Sequence, residues 1–71
     1  MSHRAINFSP FANNVLDYLG KELCTPGGTK VVITKPTIDF VVRFNDVVML
    51  ESNDNLSVSY FLNQREVGVV R

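Results

Sequence analysis

The chain has 71 residues, of which 45% are hydrophobic, with three prolines, four glycines and a formal net charge of zero. This composition predicts one folded domain rather than a disordered segment, and the neutral charge excludes general electrostatic attraction to nucleic acid. A domain of this size buries only about 60% of its unfolded surface, and its single cysteine, Cys24, excludes an internal disulfide. We therefore expect oligomerisation to supply additional stability.

Cys24 also indicates where the protein works. A lone thiol is typical of a reducing compartment. The sequence contains no apolar run long enough for a signal peptide or a membrane span. We expect a cytoplasmic protein with no membrane partner.

The N-terminal third of the chain predicts a short tail followed by a helix. Residues 1–7 lack a hydrophobic period and predict a flexible tail, ahead of a single domain at residues 8–71. Ser9-Pro10 predicts a helix start, because serine caps free N–H groups and proline fits the first helical position. Apolar residues follow at helical spacing from Phe11 as far as Leu23 and predict one apolar helix face, and the run 25–28, Thr-Pro-Gly-Gly, ends the helix near Cys24.

From Thr29 onward the hydrophobic period changes to two, and β-branched and aromatic residues dominate. The pattern predicts strands at about 29–35, 37–44, 47–52, 56–62 and 66–70. The fold class is therefore α+β and mainly β, with an N-terminal helix followed by a five-stranded, strongly bent antiparallel sheet.

The register of the second and third strands follows from keeping apolar residues on one face. A three-residue loop at 44–46 would place Val42 opposite Val48, whereas a two-residue loop would set Phe40 against Glu51. The longer loop is preferred, and the helix is expected to cover the resulting apolar face. A second apolar set then remains on the opposite face, and curling of the sheet or a partner subunit would bury it. Its members are Val41, Val47, Met49 and Phe61.

Two segments carry a resemblance to a known family, namely Ser9-Pro10-Phe11 with Asn13 and the run 44–50. They resemble the Sm-like (LSm/Hfq) family, because the first is similar to the Asp-Pro-Phe-Leu-Asn opening of the Hfq helix and the second to the Phe-Asp-Gln-Phe-Val-Ile-Leu run of the same proteins. The resemblance implies a bent sheet in an open barrel. It also allows a divergent, phage-encoded member, whose location would be the host cytoplasm.

The resemblance further implies a partner, which is the protein itself. In Sm-like proteins the fourth strand of one subunit pairs with the fifth strand of its neighbour, which removes exposed edges and closes a ring. A ring of about five to seven subunits is expected. The interface residues implied are Val58, Tyr60, Phe61, Leu62, Val67, Val69 and Val70.

Sm-like rings bind single-stranded RNA in pockets between two loops, which implies an RNA-binding or RNA-chaperone role here. The residues implied are Phe44, Asn45, Asp46, Asn63, Gln64 and Arg65. The chain departs from Hfq at Tyr60-Phe61-Leu62, where Hfq has Tyr-Lys-His, and at Phe8, where Hfq has glutamine. The alternative is therefore a protein-binding or structural ring that has lost the uridine pocket.

The chemistry of an enzyme is not indicated. Cys24 and His3 are too isolated in sequence to form a nucleophile and base or a tetrahedral metal site. The run 27–30, Gly-Gly-Thr-Lys, lacks the spacing of a phosphate-binding loop. We expect no enzymatic activity, no cofactor and no metal.

Overall fold

Six antiparallel strands form one open sheet across residues 2–70, the part of the chain that the computed structural model describes. The strands are β1 (His3–Ala5), β2 (Leu23–Cys24), β3 (Lys30–Thr34), β4 (Phe40–Phe44), β5 (Val47–Ser52) and β6 (Gly68–Val70). Their order in the sheet is β1-β6-β2-β3-β4-β5. A 3-10 helix spans Asn14–Tyr18, and one α-helix, α1, spans Asn55–Gln64.

The predicted fold class, an N-terminal helix followed by a five-stranded Sm-like open barrel, is wrong. The helix lies near the C-terminus, and the sheet is open and has six strands. Four of the predicted strands are present as β3, β4, β5 and β6, whereas the strand predicted at 56–62 is α1. The strand on which the predicted ring closure depends is therefore helical.

The predicted N-terminal helix is replaced by a tight turn, the 3-10 helix and β2. Asn13 has a left-handed backbone with φ 53°, which no α-helix accommodates. The Asn14 side chain accepts a hydrogen bond from Ser9 N at 2.8 Å and donates one to Asn7 O at 2.9 Å. These side-chain bonds hold the backbone in a non-helical path. Consequently Phe11, predicted on the apolar helix face, is 98% exposed.

The segment predicted as a flexible tail contains β1. His3 pairs with Val70 and Ala5 with Gly68, so that β1 forms one edge of the sheet. A Cβ atom at Gly68 would overlap the carbonyl oxygen of Arg4, and therefore only glycine allows β1 to approach β6. Met1 of the predicted tail and the final residue of the predicted domain, Arg71, lie outside the described residues.

Helix α1 begins at a side-chain cap. Asp54 Oδ1 accepts a hydrogen bond from Leu56 N at 3.1 Å, and Asp54 Oδ2 accepts one from Ser57 Oγ at 2.8 Å. Such a cap satisfies N–H groups that have no partner within the first turn. It starts a helix in a segment, residues 57–61, whose Ser-Val-Ser-Tyr-Phe sequence has low helix propensity.

Helix α1 ends in a Schellman motif. Val67 N donates to Leu62 O and Glu66 N donates to Asn63 O, both at 3.1 Å. The motif requires a left-handed residue after the cap, and Glu66 supplies it with φ 54°. Leu62 and Val67 are both fully buried, which adds the hydrophobic contact that accompanies this motif.

One face of the sheet carries the core, and α1 covers it in the place expected for the N-terminal helix. Phe8, from the segment before the 3-10 helix, joins this core and packs edge-to-face on Tyr18 with ring centroids 5.6 Å apart. The buried core comprises Phe8, Val15, Leu23, Val31, Ile33, Phe40, Val42, Val58, Leu62 and Val67.

The hairpin between β4 and β5 turns in two residues. Asn45 and Asp46 have positive φ angles of 49° and 69°, the geometry of a type I′ turn. Phe44 therefore pairs with Val47. The predicted three-residue loop is wrong.

A β-bulge at Met49 explains how the shorter turn still keeps Leu50 inside. Arg43 pairs with Val48, but Val42 pairs with Leu50, so Met49 is an additional residue in β5. The bulge returns Leu50 to the core face after the turn has shifted the register. The predicted pairing of Val42 with Val48 is therefore also wrong, because the turn is one residue shorter than predicted and the bulge adds one residue to β5.

Candidate functional site

The largest uncovered apolar feature of the sheet is the β5 edge, defined as strand Val47–Ser52 with its outer side unpaired. Strand order places β5 at one edge of the sheet and β1 at the other. Val47, Val48 and Met49 are 59%, 43% and 48% exposed. Glu51 is the only charged residue of β5.

The two edges of the sheet differ in length and chemistry. β1 has three residues, including His3 and the exposed Arg4, whereas β5 has six. Short strands and basic residues protect an edge from pairing with another chain. β5 lacks both features, although its bulge bends it locally.

The second apolar set predicted for the face opposite the core is divided. Val41 is only 7% exposed, while Val47 and Met49 are about half exposed on β5. Phe61 lies on α1 and packs against the core. The exposed members of this predicted set thus both lie on β5.

The sequence-predicted RNA-contact residues come from two segments, and most of their polar groups serve the fold. Asn45 and Asp46 form the β4–β5 turn, and Asn45 Oδ1 accepts a hydrogen bond from Lys30 N at 3.0 Å. Asn63 Oδ1 accepts from Phe8 N at 2.9 Å, and Asn63 Nδ2 donates to Phe8 O at 2.8 Å. The Asn63 amide therefore fastens α1 to the segment that carries Phe8.

Phe44 of the first segment and Arg65 of the second segment both contact the ring of Phe61 on α1. The Phe44 and Phe61 ring centroids lie 5.7 Å apart, and the guanidinium carbon of Arg65 lies 3.7 Å from the Phe61 centroid. Arg65 Nη1 also donates a hydrogen bond to Phe61 O at 3.2 Å. We call Phe44, Phe61 and Arg65 the aromatic stack. Stacked aromatic and guanidinium groups are the elements that single-stranded nucleic acids contact with their bases.

The predicted interface residues divide by burial. Val58, Leu62 and Val67 have no exposed surface and belong to the core of the domain itself. Tyr60 and Val70 are 63% and 51% exposed, and Gln64 Nε2 donates to Tyr60 Oη at 3.0 Å on the outer side of α1. Phe61 and Val69 are half-buried.

A surface pocket of about 440 Å³ lies where β2 meets β3 and β6. We call it the Cys24 pocket. His3 Nε2 is 3.1 Å from Cys24 O, so β1 also reaches this region. The residues lining the pocket are Glu22, Leu23, Cys24, Gly28, Lys30, Val69 and Val70.

No group of three or more His, Cys, Asp or Glu side chains within residues 2–70 is arranged to hold a metal ion. No helix formed by these residues has the length and apolar character needed to cross a membrane.

Sequence reasoning missed the β5 edge and the Cys24 pocket. Both depend on which strands are neighbours, and non-local pairing has no local sequence signal. The one available signal for the edge was the apolar run 47–50, which lacks the lysine or proline that protects edge strands.

No known protein family, curated protein or solved structure matches this chain. These comparisons do not test the resemblance to Sm-like proteins, which stays a prediction. What the fold itself defines is a small, mainly β domain with one open antiparallel sheet and a C-terminal helix.

Proposed function

We propose that this domain is a self-associating protein module, without enzymatic activity, that pairs with a second copy of itself through the β5 edge. One observation carries the proposal: β5 is the longest strand of the sheet, stands at its edge, and exposes Val47, Val48 and Met49. An edge of this kind offers unpaired backbone N–H and C=O groups together with apolar side chains.

A second copy of the domain can pair the free backbone groups of β5 and also cover its exposed apolar side chains. Two β5 strands related by a two-fold axis run antiparallel, pair their free backbone groups and bury the same side chains from each subunit. Pairing by strand addition is a common mode of protein recognition. The small size of the domain favours such help, because a core this small gives limited stability alone.

The test compares molar masses by size-exclusion chromatography with light scattering. The wild-type protein is expected at twice the monomer mass or more at micromolar concentration, and folded Val48→Lys is expected at a lower mass than the wild type because lysine on an edge opposes pairing. Leu16→Lys is the matched control, since Leu16 is 42% exposed, nearly as much as Val48, but lies in the 3-10 helix. A monomeric wild type, or equal masses for all three proteins, would reject the proposal.

A second candidate function, binding of single-stranded RNA, is supported by the aromatic stack. The Arg65 guanidinium lies over the Phe61 ring, and Phe44 packs beside Phe61. The aromatic stack therefore combines a positive charge with two aromatic rings. The neutral net charge provides no general attraction, so any binding must depend on this local group.

The RNA test is a fluorescence-anisotropy titration with short U-rich and A-rich oligomers at stated salt concentrations. Arg65→Ala is expected to weaken saturable binding. Arg43→Ala is the charge-matched control, because Arg43 lies on β4 with Nη1 bonded to Thr34 Oγ1, outside the stack. Absence of saturable binding to both oligomers, or equal losses in the two variants, would remove the RNA role.

A further inference from the structure

Phe11 is an aromatic side chain without a partner in its own domain. It is 98% exposed, more than any other large hydrophobic residue described. Exposing a whole phenyl ring to water is unfavourable, and a buried aromatic ring is the commonest anchor of a protein interface. Phe11 is therefore a candidate anchor.

The turn that carries Phe11 is fixed. Asn55 Nδ2 on α1 donates to Pro10 O at 3.3 Å and to Asn13 Oδ1 at 2.7 Å. Ser9 Oγ accepts from Ala12 N at 3.4 Å within the turn. Bonds on both sides of Phe11 therefore hold the backbone while its ring points into solvent. A preorganised anchor of this kind loses little conformational entropy on binding.

The Cys24 pocket has the size and lining to receive such a ring. Its volume is about 440 Å³, and a cavity of about 150 Å³ already accepts a benzene-sized group. The half-buried Cys24 and Val69 and the half-exposed Val70 provide apolar surface, with the exposed Glu22 and Lys30 also in the lining. Because Phe11 is almost fully exposed, it does not fill the pocket of its own chain.

We infer that Phe11 of one copy binds in the Cys24 pocket of the next copy. Two unlike surfaces meet in such a contact, so it is heterologous and adds subunits head to tail. The turn around Phe11 is uncharged, from Pro10 to Asn14, and brings no charge against Glu22 or Lys30. This contact uses none of the residues of the β5 edge and does not depend on the proposed β5 pairing.

The single natural cysteine makes the contact directly testable. Ala12→Cys introduces a second thiol on the exposed residue next to Phe11 and keeps the phenyl ring, and a short bis-maleimide reagent then links thiols that lie close together. Mixed samples of isotope-labelled and unlabelled chains, digested and analysed by mass spectrometry, identify links between different copies. The expected result is intermolecular links between positions 12 and 24 and a ladder of products larger than dimers.

Ile38→Cys is the matched control, because Ile38 is also an exposed apolar residue, at 70%, but lies between β3 and β4. It is expected to give no enrichment of links to Cys24. Links at position 12 that join only 12 to 12, or that reach Cys24 no more often than those of Ile38→Cys, would overturn the inference.

The unmodified side chain is tested by the reaction rate of Cys24 with a thiol reagent. In the wild type the rate is expected to fall as protein concentration rises, because the neighbour's Phe11 covers the thiol. In Phe11→Ala the rate is expected to be independent of concentration. Equal concentration dependence in both proteins would contradict the inference, and repeating the measurement in Val48→Lys separates it from failure of β5 pairing.

Discussion

Asn63→Ala is expected to destabilise the domain more than substitution of an exposed residue usually does. The side chain of Asn63 is exposed in part, yet its amide makes two hydrogen bonds to the backbone of Phe8, whose own surface is 1% exposed. Each bond contributes about 0.5–1.5 kcal/mol, and unpaired buried groups cost more. We expect the free energy of unfolding to fall by about 2 kcal/mol, which lowers the melting temperature by roughly 8–16 °C in a domain of this size.

Urea unfolding followed by far-ultraviolet circular dichroism measures this loss, with thermal unfolding as a second reading. Gln64→Ala is the matched control, since Gln64 bonds only to Tyr60 Oη on the exposed side of α1, and its loss should be small. Asn63→Asp keeps an acceptor for Phe8 N but sets a carboxylate oxygen against Phe8 O, so it should destabilise the domain at least as much as Asn63→Ala. If Asn63→Ala unfolds within about 0.3 kcal/mol of the wild type, the two hydrogen bonds do not hold α1 as described.

Three further substitutions are expected to change stability. Gly68→Ala should lower the free energy of unfolding by at least about 2 kcal/mol, because its Cβ would meet the Arg4 carbonyl and lie 2.7 Å from Ala5 Cα. Ser59→Ala should raise it by about 1 kcal/mol, because Ser59 is 1% exposed and its Oγ has no hydrogen-bond partner among residues 2–70. Glu66→Gly should raise it by about 0.5–1 kcal/mol, because glycine relieves the left-handed backbone that ends α1.

Each of these values is measured by urea unfolding against a control at a comparable site. Gly27→Ala should be nearly neutral, since the nearest atom to its added Cβ is 3.9 Å away and its φ is not positive. Ser57→Ala, at the exposed start of α1, should not stabilise, because it removes the bond to Asp54. A neutral Gly68→Ala, or stabilisation by Ser57→Ala equal to that of Ser59→Ala, would contradict the packing described.

The sequence predicted β3, β4, β5 and β6 because alternating β-branched residues are a local signal. The prediction failed at α1, where the apolar residues fit both the strand period and the helix period. Leu56, Val58 and Leu62 fit a period of two, but Val58 and Leu62 also fit one face of a helix, and the structure buries only this pair. The deciding features were the Asp54 cap and the end at Glu66, where the usual glycine is missing.

The N-terminal prediction failed for the opposite reason, since a real helical period was present but local hydrogen bonds opposed it. The side chain of Asn14 and the left-handed backbone of Asn13 hold a turn, and Phe11 leaves the apolar face. Of the predicted RNA-contact residues, Phe44 and Arg65 both contact Phe61, which was predicted at the subunit interface instead. The sequence could not place the β5 edge or the Cys24 pocket, because both follow from strand order.

Amide hydrogen exchange of β5 tests the proposed function most directly. Exchange is measured residue by residue over Val47–Ser52 at low and high protein concentration, in the wild type and in Val48→Lys. If two copies pair through this strand, its outward amides exchange more slowly at high than at low concentration in the wild type. In Val48→Lys, exchange over β5 is expected to be the same at both concentrations. Exchange over β5 that is independent of concentration in the wild type would contradict the proposal.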